Sequence, residues 1–162
     1  MSVLLGDRKE SKFEAITYSI ELHDMLIDLM RRSFGVKDVD HFVRKKYAYG
    51  DIKTEDFAYY RQLMYNFKSR IDKLASQITN NIRGANSIYL GKTTTLREYE
   101  IRQEYQLAAI ANCEQLMKEL QRVVEIFDVD INLYARYVKV IDREIDLIKH
   151  WRRNDRRLKP HS

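Results

Sequence analysis

Residues 95–134, TLREYEIRQEYQLAAIANCEQLMKELQRVVEIFDVDINLY, decide the fold. Thr95 and Glu98 form a T-x-x-E capping box, in which hydroxyl and carboxylate satisfy backbone N–H groups that a helix start leaves free. From there Leu96, Tyr99, Gln103, Gln106, Ile110, Cys113, Met117, Leu120, Val124 and Phe127 recur at alternating spacings of three and four. That rhythm places them on one helix face for about eight turns. Asp128, Val129 and Asp130 then leave room only for a tight connection, with Asp130 as N-cap of another helix. Its stripe is Ile131, Tyr134, Val138, Ile141, Ile145 and Ile148, and the next position in register is Arg152. Two long helices joined by so short a loop pack antiparallel.

Working outward, Ser11 and Glu14 make a second capping box and Gly35 supplies a stop, so the spacing predicts a helix from about Lys12 to Phe34. Phe13, Ile16, Ile20, His23, Ile27, Met30 and Phe34 form its stripe. Asp38 to Tyr49 reads as a short helix ending before Gly50. Thr54 is the expected N-cap of the next long helix, with Glu55 and Asp56 in the positively polarised first turn. Its stripe is Phe57, Tyr60, Met64, Phe67, Ile71, Leu74 and Ile78, fading towards Gly84. The expectation is an all-α, single-domain chain: an antiparallel up-down four-helix bundle with helices at about 12–34, 55–83, 96–127 and 131–154. A short extra helix, 38–49, lies between the first two, and a basic tail spans 149–162. Gly35, Gly50, Gly84 and Gly91 interrupt the pattern too often for a long coiled coil.

The 162 residues include one cysteine, so no intramolecular disulfide is available, and one proline. The opening MSVLLGDRKESK meets charges after three apolar residues, too soon for a signal-peptide core, and no stretch approaches the roughly 20 apolar residues of a membrane span. The expected setting is the cytoplasm, without membrane contact. The net charge is +5, and residues 149–162 alone carry that excess: Lys149, Arg152, Arg153, Arg156, Arg157 and Lys159 against Asp155. Residues 1–148 sum to zero, so attraction for an anionic partner is concentrated at one end of the chain.

Several patterns that carry chemistry elsewhere fail here on spacing. Gly91-Lys92-Thr93 looks like the end of a phosphate-binding P-loop, but the first glycine of that motif falls on Asn86 and no strand precedes it. No glutamate has a histidine three residues later, as a helical di-metal site needs. Cys113 lies on an apolar seam and reads as a small buried hydrophobe. His23 interrupts an apolar stripe and needs a hydrogen-bond partner. Arg143 and His150, spaced R-x6-H, resemble the nuclease motif of HEPN-type helical bundles. There a histidine transfers protons while an arginine stabilises developing phosphate charge. Glu144 stands beside Arg143 where that motif has Asn, Asp or His.

The C-terminal cluster is the strongest functional signal. At about 100° per residue, Lys149, Arg152, Arg153, Arg156 and Arg157 cover one side of a continuing helix, with Trp151 and Leu158 opposite. Four of the six cations are arginines, whose forked donors suit phosphates, and Trp151 is the expected stacking surface. Arg44, Lys45 and Lys46, flanked by Tyr47 and Tyr49, form a second candidate patch.

The stretches YSIELHDMLIDLMRRSFG (18–35), DHFVRKKYAYG (40–50), NCEQLMKELQRVVEIFDVDINLY (112–134) and IDREIDLIKHWRR (141–153) resemble the accessory variability determinant proteins of bacterial diversity-generating retroelements. The resemblance spans most of the chain and is one of overall pattern, without a catalytic signature. It implies a basic four-helix bundle that assembles as a homopentamer and binds the element's reverse transcriptase and RNA. Such a protein is a noncatalytic partner in mutagenic complementary-DNA synthesis and needs no cofactor. Arg152, Arg153, Arg156 and Arg157 are then the contacts to nucleic acid or polymerase, with Arg44, Lys45 and Lys46 second. This chain is longer than the compact members, with the 38–49 element added.

Overall fold

The computed structural model describes residues 3–47 and 50–161, with side chains from Glu14 onward. Among these residues the chain is all-helical, with no strand: α1 (Val3–Arg31), α2 (Val39–Lys46), α3 (Thr54–Asn86), α4 (Leu96–Phe127) and α5 (Ala135–Asp155). The Thr95–Glu98 box forms as its sequence requires: Glu98 N donates to Thr95 Oγ1 at 3.2 Å and Thr95 N to Glu98 Oε1 at 3.3 Å. Asp38 caps α2 by accepting from His41 N at 3.0 Å.

Contacts between helices run in opposite senses. Ser19 meets Thr79 and His23 meets Asp72 between α1 and α3. Arg70 meets Glu119 and Asn81 meets Asn112 between α3 and α4. Arg102, near the start of α4, meets Asp155 at the end of α5. Glu14 meets Arg143, and the Phe34 carbonyl just beyond α1 accepts from the Tyr134 hydroxyl just before α5. In each pairing one number rises as the other falls, so α1 lies antiparallel to α3 and α5, and α4 antiparallel to α3 and α5.

Several expected boundaries and faces move. α1 begins at Val3, so Ser11 lies inside a helix rather than at its start, and the chain bends at Ser33–Gly35 instead of remaining helical to Phe34. The core face of α1 is Ala15, Ser19, Leu22, Leu26 and Leu29, rotated from the expected stripe; Ile20 and Ile27 are 42% and 48% exposed. Phe13 and Tyr49 have side chains outside the described residues. Lys53, not Thr54, is the N-cap of α3, its N–H donating to Asp56 Oδ2 at 2.9 Å. Gly84 does not stop α3; it makes room for Tyr105 of α4, whose ring a Cβ there would meet at 2.7 Å. Asp130 caps a 3-10 turn, Ile131–Tyr134, and α5 starts only at Ala135. The α5 seam runs through Tyr137 rather than Val138 and ends on Trp151 and Asp155 rather than Arg152.

The two ends of the molecule are built differently. Where α2 packs against the first half of α3, the end of α4 and the turn after α1, Phe127 packs against Phe34, Phe42, Tyr60 and Phe67, with ring centroids 5.6–6.2 Å apart. Ser33 and Phe34 take left-handed backbone (φ 50° and 56°), which costs a non-glycine residue about 1–2 kcal/mol each. Complete burial of Phe34 and the 2.9 Å bond from Tyr134 to its carbonyl offset that cost. At the other end the buried residues turn polar, and the C-terminal cations surround them.

Candidate nucleic-acid interface

The basic end is organised by a residue on α4. Arg102, buried, donates from Nε and Nη2 to the two oxygens of Asp155 at 2.8 and 2.9 Å, and from Nη1 to the Ile88 carbonyl at 2.7 Å. Gln106 Nε2 donates to the same carboxylate at 2.8 Å. The Arg102 guanidinium also stands 5.1 Å over the Trp151 ring. One side chain thus ties together the end of α5, the start of α4 and the loop after α3. A bidentate buried pair of this kind fixes geometry, because removing either partner strands a charge away from water.

This clamp sets the fate of the cluster. Asp155, the sole acid among residues 149–162, is turned inward and consumed by Arg102, so it does not neutralise the surrounding cations. Lys149, Arg153, Arg156, Arg157 and Lys159 are exposed and Arg152 is half-buried. None of the six enters an ion pair among the described residues. The segment is ordered: α5 runs to Asp155 and a 3-10 turn follows through Leu158. Tyr99 reports how close the cations come. Burial raises its hydroxyl pKa and Asp155 adds to the rise, while Arg156 and Arg152 pull it back.

Trp151 is not the stacking surface expected of it. It is 3% exposed, since the α5 seam continues through it, and its ring is covered by Arg102. The most exposed aromatic at this end among the described residues is Tyr89, 82% exposed, on the loop between α3 and α4, against 38% for Tyr105 of α4. Arg44, Lys45 and Lys46 are not brought to this surface. Lys45 pairs at 3.3 Å with Asp128 at the far end of α4, and Arg44 with Asp40 at 2.8 Å. From Arg102 to Asp128 is 26 residues of helix, about 39 Å at 1.5 Å per residue.

The other sequence candidates find ordinary roles. Arg143 donates to Glu14 at 3.2 Å, and His150 is exposed two turns further along α5, about 10 Å in rise. Glu144, beside Arg143, is buried in the core with both oxygens unpartnered, and burial pushes its pKa up to about 9. Cys113 is buried and its thiol pKa is raised, first by desolvation and then by Glu144. His23 Nε2 lies 2.7 Å from Asp72 Oδ1, beside a cleft of about 320 Å³ between α1 and α3. Gly91 is preceded by a helix and a turn, and its N–H is taken by Thr94 Oγ1 at 2.7 Å, so no P-loop cradle forms. An apolar groove of about 490 Å³ lies between α4 and the start of α5, lined by Met117, Val124, Ile131 and Val138. No helix among the described residues is long and apolar enough to cross a membrane. No protein-family profile, curated protein or solved structure matches this chain.

The sequence held two signals for this site that its spacing alone does not resolve. Arg102 and Gln103 both fit the α4 seam at spacings of three and four from Tyr99 and Gln106, and an arginine is the less obvious core residue. Asp155 reads as a lone acid among bases until a buried arginine is found to face it.

Proposed function

We propose that this protein is a noncatalytic nucleic-acid-binding accessory whose phosphate-contacting surface is the C-terminal end of α5. The observation that carries this reading is the inward pairing of Asp155 with Arg102. It leaves Lys149, Arg152, Arg153, Arg156, Arg157 and Lys159 as a cationic surface that enters no ion pair among the described residues, on a helical end. Such a surface gains affinity mainly by releasing counterions from phosphates, which makes binding steeply salt-dependent.

The antiparallel pairings support an up-down four-helix bundle of α1, α3, α4 and α5, with α2 laid over one end. That architecture agrees with the resemblance to accessory variability determinants. On this reading the protein works in the cytoplasm as a homo-oligomer, a pentamer by resemblance, and holds RNA alongside a reverse transcriptase during mutagenic complementary-DNA synthesis. Exposed Ile20 and Ile27, together with the groove at Met117 and Val138, supply apolar surface for self-association.

The test is RNA binding measured by fluorescence anisotropy across salt concentrations, for the parent and for Arg153→Gln/Arg156→Gln/Arg157→Gln. The triple variant keeps the Arg102–Asp155 clamp. Its affinity at physiological salt is expected to fall tenfold or more, and its salt slope on single strands to flatten by about 2. Unchanged affinity and slope would sink the assignment. Native mass measurement reads the oligomer, and co-purification with the reverse transcriptase of a diversity-generating retroelement tests the partner.

A further inference from the structure

Tyr89 is a large aromatic side chain, 82% exposed, on the short loop 87–95 between half-buried Ile88 and Leu90. Its position is braced. Thr94 Oγ1 donates to the Tyr89 carbonyl at 2.9 Å and accepts from Gly91 N at 2.7 Å, closing the loop on itself. The ring lies against Gly91, where a Cβ would meet ring carbon Cε1 at 2.4 Å, so only glycine lets the ring rest there. The neighbouring carbonyl, Ile88 O, accepts from Arg102 Nη1, while the other two guanidinium nitrogens hold Asp155. Tyr89 and Arg156 are therefore each one residue away from partners on opposite sides of a single guanidinium. Lys92, exposed, shares the loop.

An exposed ring resting on a glycine, beside cations that enter no ion pair among the described residues, matches what an unpaired base and its phosphates require. Arginines take the backbone, and the π-face takes a base of any identity. A duplex offers the same phosphates but keeps its bases stacked inside, so the ring adds nothing to duplex binding. Trp151, inside the core, cannot serve this purpose.

We propose that Tyr89 is a base-stacking residue and that the basic end of the molecule takes single-stranded nucleic acid in preference to duplex. The proposal rests on the nucleic-acid reading given above, and its test separates the two. Binding of a labelled single-stranded RNA and of the corresponding duplex is measured for the parent, Tyr89→Ala, Tyr89→Phe, Gly91→Val and Arg153→Gln/Arg156→Gln/Arg157→Gln. Tyr89→Ala is expected to weaken the single strand about fivefold or more, with duplex affinity and both salt slopes unchanged. Tyr89→Phe keeps the ring and retains binding, and Gly91→Val, which displaces the ring, reproduces part of the loss. Equal loss on both nucleic acids, or no loss on the single strand, overturns the stacking role. If the arginine variant weakens both while Tyr89→Ala changes neither, the interface stands and Tyr89 is not part of it. If the parent binds neither, both proposals fall.

Discussion

The two ends of this molecule are held by opposite chemistry, and the contrast separates stability from function. At the α2 end, Phe34, Phe42, Tyr60 and Phe67 surround Phe127, and the basic residues Arg44 and Lys45 are matched by Asp40 and Asp128. At the opposite end a buried arginine, aspartate and glutamine take the place of the rings, and the cations outside enter no ion pair among the described residues. The buried polar residues follow the same division. Gln106, Arg102 and Asp155 lie at the basic end, while Ser19, Thr79 and Glu144 lie near the middle of the helices. An aromatic cluster saturates its end of the chain. An inward-facing acid leaves the other end with unspent charge.

The largest effects come from cutting each end at its centre. Phe127→Ala removes a ring that touches four others and is expected to cost about 3–5 kcal/mol. Asp155→Ala strands the Arg102 charge in the interior and costs a similar amount, about 3–5 kcal/mol. Urea unfolding followed by circular dichroism measures both, and a second step tells them apart. Replacing Arg102, Gln106 and Asp155 together by Met, Leu and Leu removes the stranded charge and recovers most of the loss. No charge compensation exists at the aromatic end, where only a bulky apolar replacement such as Phe127→Leu limits the damage. A loss below about 1 kcal/mol for Asp155→Ala would mean that the clamp does not hold its end.

Glu144 marks the border between the two chemistries and yields a pH signature of intermediate size. Its carboxyl has no hydrogen-bond partner among the described residues, and burial raises its pKa from 4.5 to about 9. Below about pH 4.5 the group is protonated whether the chain is folded or not, and no stability difference arises. Between there and about pH 9 the unfolded chain releases the proton while the folded chain keeps it. Stability therefore falls by about 1.4 kcal/mol per pH unit as pH rises, on the order of 3 kcal/mol by pH 7. Glu144→Leu removes both the proton linkage and the unpaired oxygens. Its advantage over the parent should be smallest near pH 4.5, where only the unpaired oxygens count against the parent, and should widen towards pH 9. A gap that does not change with pH would show that Glu144 finds a partner or water when ionised.

Helix positions were largely legible in the sequence, because a three-four rhythm and capping residues act locally. The Thr95–Glu98 box and the α3 stripe at Tyr60, Met64, Phe67, Ile71 and Ile78 formed as expected, with Ala75 buried where Leu74 was expected. Faces were less legible. On α1 two stripes compete, Ile16–Ile20–Ile27 and Leu22–Leu26–Leu29, and local spacing cannot say which one the neighbouring helices bury. On α5 the same ambiguity swapped Trp151 for Arg152, an error of one residue that turns a stacking surface into core. The clamp was illegible for another reason: Arg102 and Asp155 are 53 residues apart, and nothing in either neighbourhood announces the other. The cationic cluster itself was legible as composition, whereas its lack of neutralising partners depends on that long-range pair.

The smallest effect is also the one that tests whether the two basic patches are alike. Lys45 and Asp128 are both well exposed, and Arg44 pairs with Asp40 one turn away on the same helix, so each pair is screened by solvent and adds little to stability. Arg44→Ala/Lys45→Ala should change the unfolding midpoint barely measurably. Its effect on RNA affinity should also be small, because these cations already face carboxylates and lie about 39 Å of helix from the C-terminal cluster. Lys46, exposed and without an ion pair among the described residues, serves as the internal control. If neutralising Arg44 and Lys45 costs as much RNA affinity as neutralising Arg156 and Arg157, the nucleic acid spans both ends, and free charge at one end no longer explains where it binds. A loss confined to the C-terminal variants places the binding where Asp155 has been withdrawn from the surface, which is the physical difference between the two ends.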